Sequence, residues 1–281
     1  VKAIVRAIKK MIRFVFALTI MSVLMSVAFS EQNMFKHNGV TAHRGNSAEY
    51  PENTILAFKS ALSLGVDWIE LDIYKTKDNQ IVVIHDSATG RVGDRNLQVS
   101  KVTYEELKSV DVAHNFRTFN KLTLKECPSA NIPLLSDVIR LITHQNETRL
   151  SIQPKADCVK EAIMIIRELK AEKWVGFNDG SLRKMKEVKT YAKLVPVFWD
   201  RPANANIDRD LKIIQQEGFE SIVINHKGIT KAIVDKIHQA GLEVGAWTVN
   251  DIKRMKALLA MGVDRIYTDN PRRLLQLLQK K

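Results

Sequence analysis

Cysteine is scarce: Cys127 and Cys158 are the only two among 281 residues. That excludes a fold stapled by several disulfides, and no Cys-x-x-Cys pair or Cys/His cluster offers a zinc site. Low-complexity sequence is missing, as is any internal repeat longer than a strand-helix unit, which excludes fibrous and solenoid architectures. A long charge-free apolar run occurs once, from Phe14 to Phe29, too few for a many-span membrane protein. No composition shift after residue 38 marks a linker. What is present is ordinary for a globular chain with a core: 45% hydrophobic and 26% charged residues in 31.9 kDa, room for one large domain or two smaller ones.

Positive charge is in excess, with a formal net charge of +12. Five of those charges (Lys2, Arg6, Lys9, Lys10, Arg13) precede the apolar run; without them 38 basic residues stand against 31 acidic ones, +7. The remaining Lys and Arg are dispersed among acids along helix-like stretches, which reads as a solvated surface and not as a nucleic-acid stripe. A basic start, an apolar core and Ala28-Phe29-Ser30 before Glu31 have the three parts of a secretory signal cleaved after Ser30. The alternative is an uncleaved N-terminal anchor, the one membrane contact expected. Either reading places residues 31–281 outside the cytoplasm, in a periplasmic or extracellular space whose redox state would permit one Cys127–Cys158 disulfide.

From residue 39 onward, short apolar runs alternate with amphipathic stretches. Strands are expected at Gly39–His43, Trp68–Ile73, Arg149–Gln153, Trp174–Phe177, Leu194–Phe198, Ser221–Asn225, Leu242–Thr248 and Arg265–Thr268. Helical spacing lies between most of them, at Thr54–Leu64, Val159–Lys170, Leu182–Thr190, Ile229–Ala240 and Asp251–Met261, with Gly65, Gly218, Gly241 and Gly262 where helices would stop. Eight such units in about 240 residues predict a (β/α)8 barrel better than a doubly wound sheet. An extra strand, Gln80–His85, is expected beside the second barrel strand. Residues 87–135, with one short helix at Thr103–Ser109, read as an insertion after it.

Active sites of such barrels lie at the C-terminal strand ends. Four groups fall there: His43-Arg44-Gly45, Pro51-Glu52-Asn53-Thr54, Glu70-Leu71-Asp72 and His85-Asp86. Period-two alternation puts Glu70 and Asp72 on one face of their strand. Two inward carboxylates repel unless compensated, so the pair predicts a hard divalent cation, Mg2+ or Ca2+; a bridge to Arg or Lys would serve as well. His43 and His85, each ending a strand beside those acids, suit proton transfer near neutral pH. Arg44 offers a planar fork for phosphate, and Gly45 lets the backbone approach a ligand. His226 also follows a barrel strand; His37, His114, His144 and His238 have no comparable setting.

The strings AHRGNSAEYPENTILAF, GVDWIELDIYKTKDNQIVVIHD, IPLLSDV, GFNDGSLRKMKEV and GLEVGAWTVNDIKRMKALLAMGVDRIYTDNP, spread over residues 39–275, resemble the glycerophosphodiester phosphodiesterase family in order and content. The resemblance implies a phosphodiesterase-type TIM barrel with a small insertion after the second barrel strand. It implies metal-dependent hydrolysis of a small-molecule glycerophosphodiester to an alcohol and sn-glycerol 3-phosphate. His43 and His85 would be the acid/base pair, Arg44 the phosphate holder, Glu52 its support, Glu70 and Asp72 metal ligands, and Trp247 the glycerol-side wall.

One departure stands out. Where the family has Glu-Ile-Lys-Pro, this chain reads Ser151-Ile152-Gln153-Pro154. Ser151 is then the expected third metal ligand and Gln153 the substrate contact, with Lys155 a stand-in for the lost lysine. Losing a carboxylate predicts weaker metal binding. The alternative is a phosphodiester-binding protein with weakened turnover. A lysophospholipid or inositol-type substrate is a third reading, with Trp199 offering an apolar wall for the leaving group.

Overall fold

In the computed structural model the alternating runs close into a barrel. The structure describes residue 35 and residues 37–279; the export or anchor reading of residues 1–30 lies outside the described residues. Eight strands run parallel: β1 (Val40–His43), β2 (Trp68–Lys75), β4 (Arg149–Pro154), β5 (Val175–Asp179), β6 (Val197–Arg201), β7 (Ser221–Asn225), β8 (Glu243–Trp247) and β9 (Arg265–Thr268). They pair in the order β1-β9-β8-β7-β6-β5-β4-β2, and β1 closes the ring on β2 with His43 opposite Glu70. The ninth strand, β3 (Ile81–Val83), turns back antiparallel against the end of β2, with Ile73 opposite Val83. The expected barrel is therefore present, extra strand included.

Helices pack outside the ring: α1 (Ile55–Leu64), α4 (Leu135–Thr143), α5 (Val159–Glu168), α6 (Leu182–Tyr191), α7 (Ile207–Glu217), α8 (Lys231–Gln239), α9 (Ile252–Met261) and α10 (Pro271–Leu278). Their starts are set by side chains that accept orphan backbone N–H groups: Thr54, Ser181, Asn206, Thr230, Asp251 and Asn270. Strand residues pointing outward, such as Ile69, Leu71, Ile73 and Ile152, form with the helices one continuous buried layer. Each fully buried aliphatic side chain there contributes roughly 1.5–3 kcal/mol of transfer free energy. Because both faces are covered, the strands read as near-continuous apolar runs, and inward polar residues stand out against them.

Inside the ring, side chains are stacked by height. At the N-terminal end Trp68, Phe198, Val223 and Tyr267 form a small buried cluster. The Arg149 and Arg265 guanidinium groups lie 4.2 and 4.8 Å from the Trp68 ring centre, a cation–π floor. Two and four residues beyond Trp68 on the same face of β2 come Glu70 and Asp72, both buried. This cluster lies beneath the acids, and Glu70 lines the cavity above it.

The insertion contains two short helices, α2 (Tyr104–Lys108) and α3 (His114–Phe119), where one was expected. It has its own apolar cluster, including Val99, Leu107, Val110, Val112 and Cys127. The two cysteines are free and lie in different clusters, so the disulfide is not formed; burial pushes the Cys158 thiol up to about 12. The largest boundary difference is at β6, expected from Leu194 and found from Val197. Pro196 lacks an N–H and the chain turns before it, Val195 N donating to Ala192 O at 3.0 Å, which leaves Leu194 94% exposed. The shift carries Asp200 and Arg201 to the C-terminal mouth. Similarly, Trp174 belongs to a one-turn helix ahead of β5, and His85 lies two residues past the end of β3.

Candidate active site

The site begins with backbone that only particular residues tolerate. Gly45 has φ +82°, and a Cβ there would lie 2.7 Å from the Ala57 Cβ. Arg44 and Asn53 also adopt left-handed conformations, φ 58° and 56°. Such conformations cost of order 1–3 kcal/mol in a non-glycine residue and persist where surrounding contacts fix them. Here Asn53 N donates to Arg44 O at 3.0 Å, joining the two loops. The Asn53 amide then clasps Asp72: Nδ2 donates to Oδ2 at 2.9 Å, and Oδ1 accepts from Asp72 N at 3.3 Å.

Each of the two imidazoles is held by a carboxylate. His43 Nδ1 lies 2.6 Å from Asp269 Oδ1, and His85 Nδ1 lies 2.6 Å from Asp86 Oδ1. A carboxylate only accepts, so each Nδ1 carries the proton and each Nε2 is the working atom. Asp269 is itself fixed by Asn250 Nδ2 at 2.5 Å and Ser47 Oγ at 3.2 Å. Asp86 is fixed by Arg91 Nε. The environments differ. Burial disfavours the His43 cation, but the Asp269 hydrogen bond and the Glu70 carboxylate outweigh it and raise the pKa. Burial together with the nearby Arg44 and Lys155 cations lowers that of His85, against the pull of Asp72.

Arg44 is oriented by Glu52, which accepts from Arg44 Nη1 at 3.1 Å and from Arg91 Nη1 and Nη2 at 2.8 and 2.6 Å. Burial alone would raise the Glu52 pKa; the two guanidinium groups hold it below the usual range. Arg91 comes from the insertion, so this subdomain buttresses both Arg44 and the His85–Asp86 pair.

The two barrel carboxylates are unequally compensated. Glu70 accepts from Arg44 N at 3.1 Å and lies 3.9 Å from His43 Nε2; burial and the Asp72 charge push it up to about 7. Asp72 is buried too, but Lys155 Nζ at 3.1 Å and Arg44 Nε at 3.3 Å, with the Asn53 amide, lower its pKa. So the sequence alternatives, cation or Arg/Lys bridge, meet in one place. Ser151 does not join the acids: its hydroxyl donates to Asn178 Oδ1 at 2.7 Å. Among the described residues no three His, Cys, Asp or Glu side chains form a metal-binding cluster. The donors still fit a hard cation that keeps several waters, since Glu70 lacks a full counter-charge and Asp72 Oδ1 is buried without an aligned hydrogen-bond donor.

Along the neighbouring strands β4, β5 and β6, Gln153 Nε2 and Asn178 Nδ2 both donate to Asp200 Oδ2 at 3.0 Å, and burial pushes Asp200 up to about 7. His43, Arg44, Glu70, His85, Gln153, Lys155, and Trp247 thus share one cavity of about 400 Å3 with Asn178, Asp200 and Arg201. Trp247 lines the cavity, and its indole N–H is buried without a hydrogen-bond partner. Trp199 is not a mouth residue: it is 2% exposed, stacked on Arg201 at 4.1 Å. His226 sits in the turn after β7 and is absent from the cavity wall.

The sequence reading passed over Asp269, Arg91, Asn178 and Asp200. Asp269 could have been found, since it directly follows a barrel strand. Arg91 could not, being one of several basic residues in an irregular insertion.

The profile of the glycerophosphoryl diester phosphodiesterase family matches residues 43–273. A glycerophosphodiester phosphodiesterase of Bacillus altitudinis is 33% identical over 247 residues, 85% of this chain and 97% of the relative. Another, from Caldanaerobacter subterraneus subsp. tengcongensis, is 31% identical over 86% of this chain and 98% of its own. A solved structure with the same fold, an Oleispira antarctica phosphodiesterase in complex with the product sn-glycerol-3-phosphate, superposes with a TM-score of 0.74 at 21% identity, covering 89% of this chain and 99% of that one. The chain belongs to the glycerophosphoryl diester phosphodiesterase family.

Proposed function

We propose that the protein hydrolyses glycerophosphodiesters to an alcohol and sn-glycerol 3-phosphate, with His43 and His85 exchanging the protons. Family membership and its named relatives support the activity. The observation that carries the mechanism is geometric: two imidazoles in one cavity, each with Nδ1 committed to a carboxylate and Nε2 left for chemistry. His85 accepts a proton from the attacking water as the water oxygen bonds to phosphorus. His43, on the side enriched in negative charge, gives its proton to the leaving alkoxide as the P–O bond breaks. The raised pKa at His43 and the lowered one at His85 agree with that division. Arg44, braced by Glu52, holds a phosphate oxygen.

The divalent cation is part of this proposal. Glu70 and Asp72 would hold it; when bound, such an ion neutralises charge on the phosphoryl oxygens. The ion reads as Mg2+ or Ca2+ from its oxygen donors. Export is also proposed, on residues 1–30; cell fractionation with a C-terminal epitope tests it.

A weakened, binding-only protein is favoured by one observation, that Ser151 and Gln153 are tied to Asn178 and Asp200 in place of the family's charged pair. Purified protein with glycerophosphocholine, with and without divalent metal and chelator, separates the two. Release of glycerol 3-phosphate supports hydrolysis; ligand binding without release supports the weakened form.

A further inference from the structure

Asp72 presents its two oxygens differently. Oδ2 accepts from Asn53 Nδ2 at 2.9 Å and pairs with the Arg44 guanidinium, whose Nε lies 3.3 Å away without an aligned hydrogen bond. Oδ1 has one close neighbour, the Lys155 ammonium at 3.1 Å, and no aligned hydrogen-bond donor. The contact is that of a point charge.

Lys155 reaches this spot because of where β4 ends. Gln153 stands opposite Asp72 in the register of β2 and β4, and Lys155 N donates to Ile73 O at 2.9 Å, extending the ladder past Pro154. Residues 151, 153 and 155 therefore share the inward face. The lysine starts one step above Asp72 and folds back down to it, and its ammonium also donates to Gln153 Oε1. The Lys155 side chain remains 21% exposed, while that of Asp72 is fully buried. A flexible four-carbon stem that ends at the mouth can leave as readily as it arrived.

We propose that Lys155 is a resident counter-ion of the Glu70–Asp72 pair, seated on the Asp72 oxygen that a divalent ion would use, so that metal binds this chain only by displacing its own lysine. The inference rests on the reading that this carboxylate pair is the metal site, and it is separable from it by experiment. A chain with a neutral residue at 155 offers Asp72 Oδ1 uncontested. The displaced ammonium stays in the cavity beside His85 and Gln153, where an anionic substrate would meet it.

The test is calorimetric titration of Mg2+ and of Ca2+ into the full chain and into Lys155→Met and Lys155→Gln, with circular dichroism and a melt confirming the fold. The dissociation constant is expected to fall at least tenfold in both variants. Equal or weaker affinity overturns the competition while leaving the metal reading in place. Absence of binding in all three proteins overturns both. Should neither variant fold, NMR of the Lys155 side chain in the unaltered protein decides: saturating Mg2+ shifts its signal if the ammonium is displaced, and an unmoved signal refutes the idea.

Discussion

Asp269 and Asp86 hold the imidazoles by Nδ1, and the account stands on what that fixation does. An asparagine at 269 can offer its own N–H to Nδ1 and hold the ring in the wrong tautomer. Asp269→Asn is expected to lower kcat by about a hundredfold or more with KM little changed. His43→Ala and His85→Ala should lose about as much while melting close to the parent, read by glycerol 3-phosphate release. Gly45 is constrained differently. Its positive φ and the 2.7 Å approach to Ala57 predict that Gly45→Ala destabilises by about 2–4 kcal/mol, read by chemical denaturation. At this scale the rim of β1 and β2 was legible because its functional residues are contiguous: His43-Arg44-Gly45, Glu52-Asn53 and Glu70-x-Asp72. Ser151 shows how far alternation reaches: it gives the face of a side chain, and the neighbouring Asn178 takes its hydroxyl.

Among the elements, the insertion is the one whose stability bears on catalysis, since its Arg91 braces Glu52 and Asp86. It is organised on Asp111, which accepts from Arg117 Nη2 at 2.5 Å and from Ser129 Oγ, Ala113 N and Ala130 N, each at 3.0 Å. Burial opposes the Asp111 anion, and these donors more than reverse it, so its pKa lies below the usual carboxylate value. A lowered folded-state pKa contributes stability above the unfolded value of about 4 and loses it as pH falls through the folded value. Hydrogen-exchange protection factors in residues 87–135 should therefore fall below about pH 4 ahead of those in the barrel. Asp111→Asn should bring that opening to neutral pH, at a cost of roughly 1–3 kcal/mol. Uniform exchange across both regions would contradict this. The insertion was recognisable as a break in the strand-helix rhythm, yet its second helix, α3, was not: six residues give too few turns for a 3.6-residue period to show. Likewise β6 was misplaced because Leu194 and Val195 look like strand residues and Pro196 resets the start.

For the whole molecule, the barrel was readable because both faces of every parallel strand are buried, which makes each strand an apolar run spaced by an amphipathic helix. Above the Trp68–Arg149–Arg265 layer, the cavity at the C-terminal mouth joins residues following β1, β2 and β3 to the ends of β4, β5 and β6. The half on β5 and β6 could not be read in advance. Asn178 and Asp200 stand at the polar ends of their strands, each followed by a charged residue, and their meeting with Gln153 exists only after the ring closes.

The most direct measurement is steady-state hydrolysis of glycerophosphocholine by the purified chain, following glycerol 3-phosphate, beside its His43→Ala and His85→Ala variants. The account predicts release by the parent and a fall of about a hundredfold or more in each variant whose fold is intact. No release by the parent under any divalent metal, or undiminished release by either variant, would contradict it.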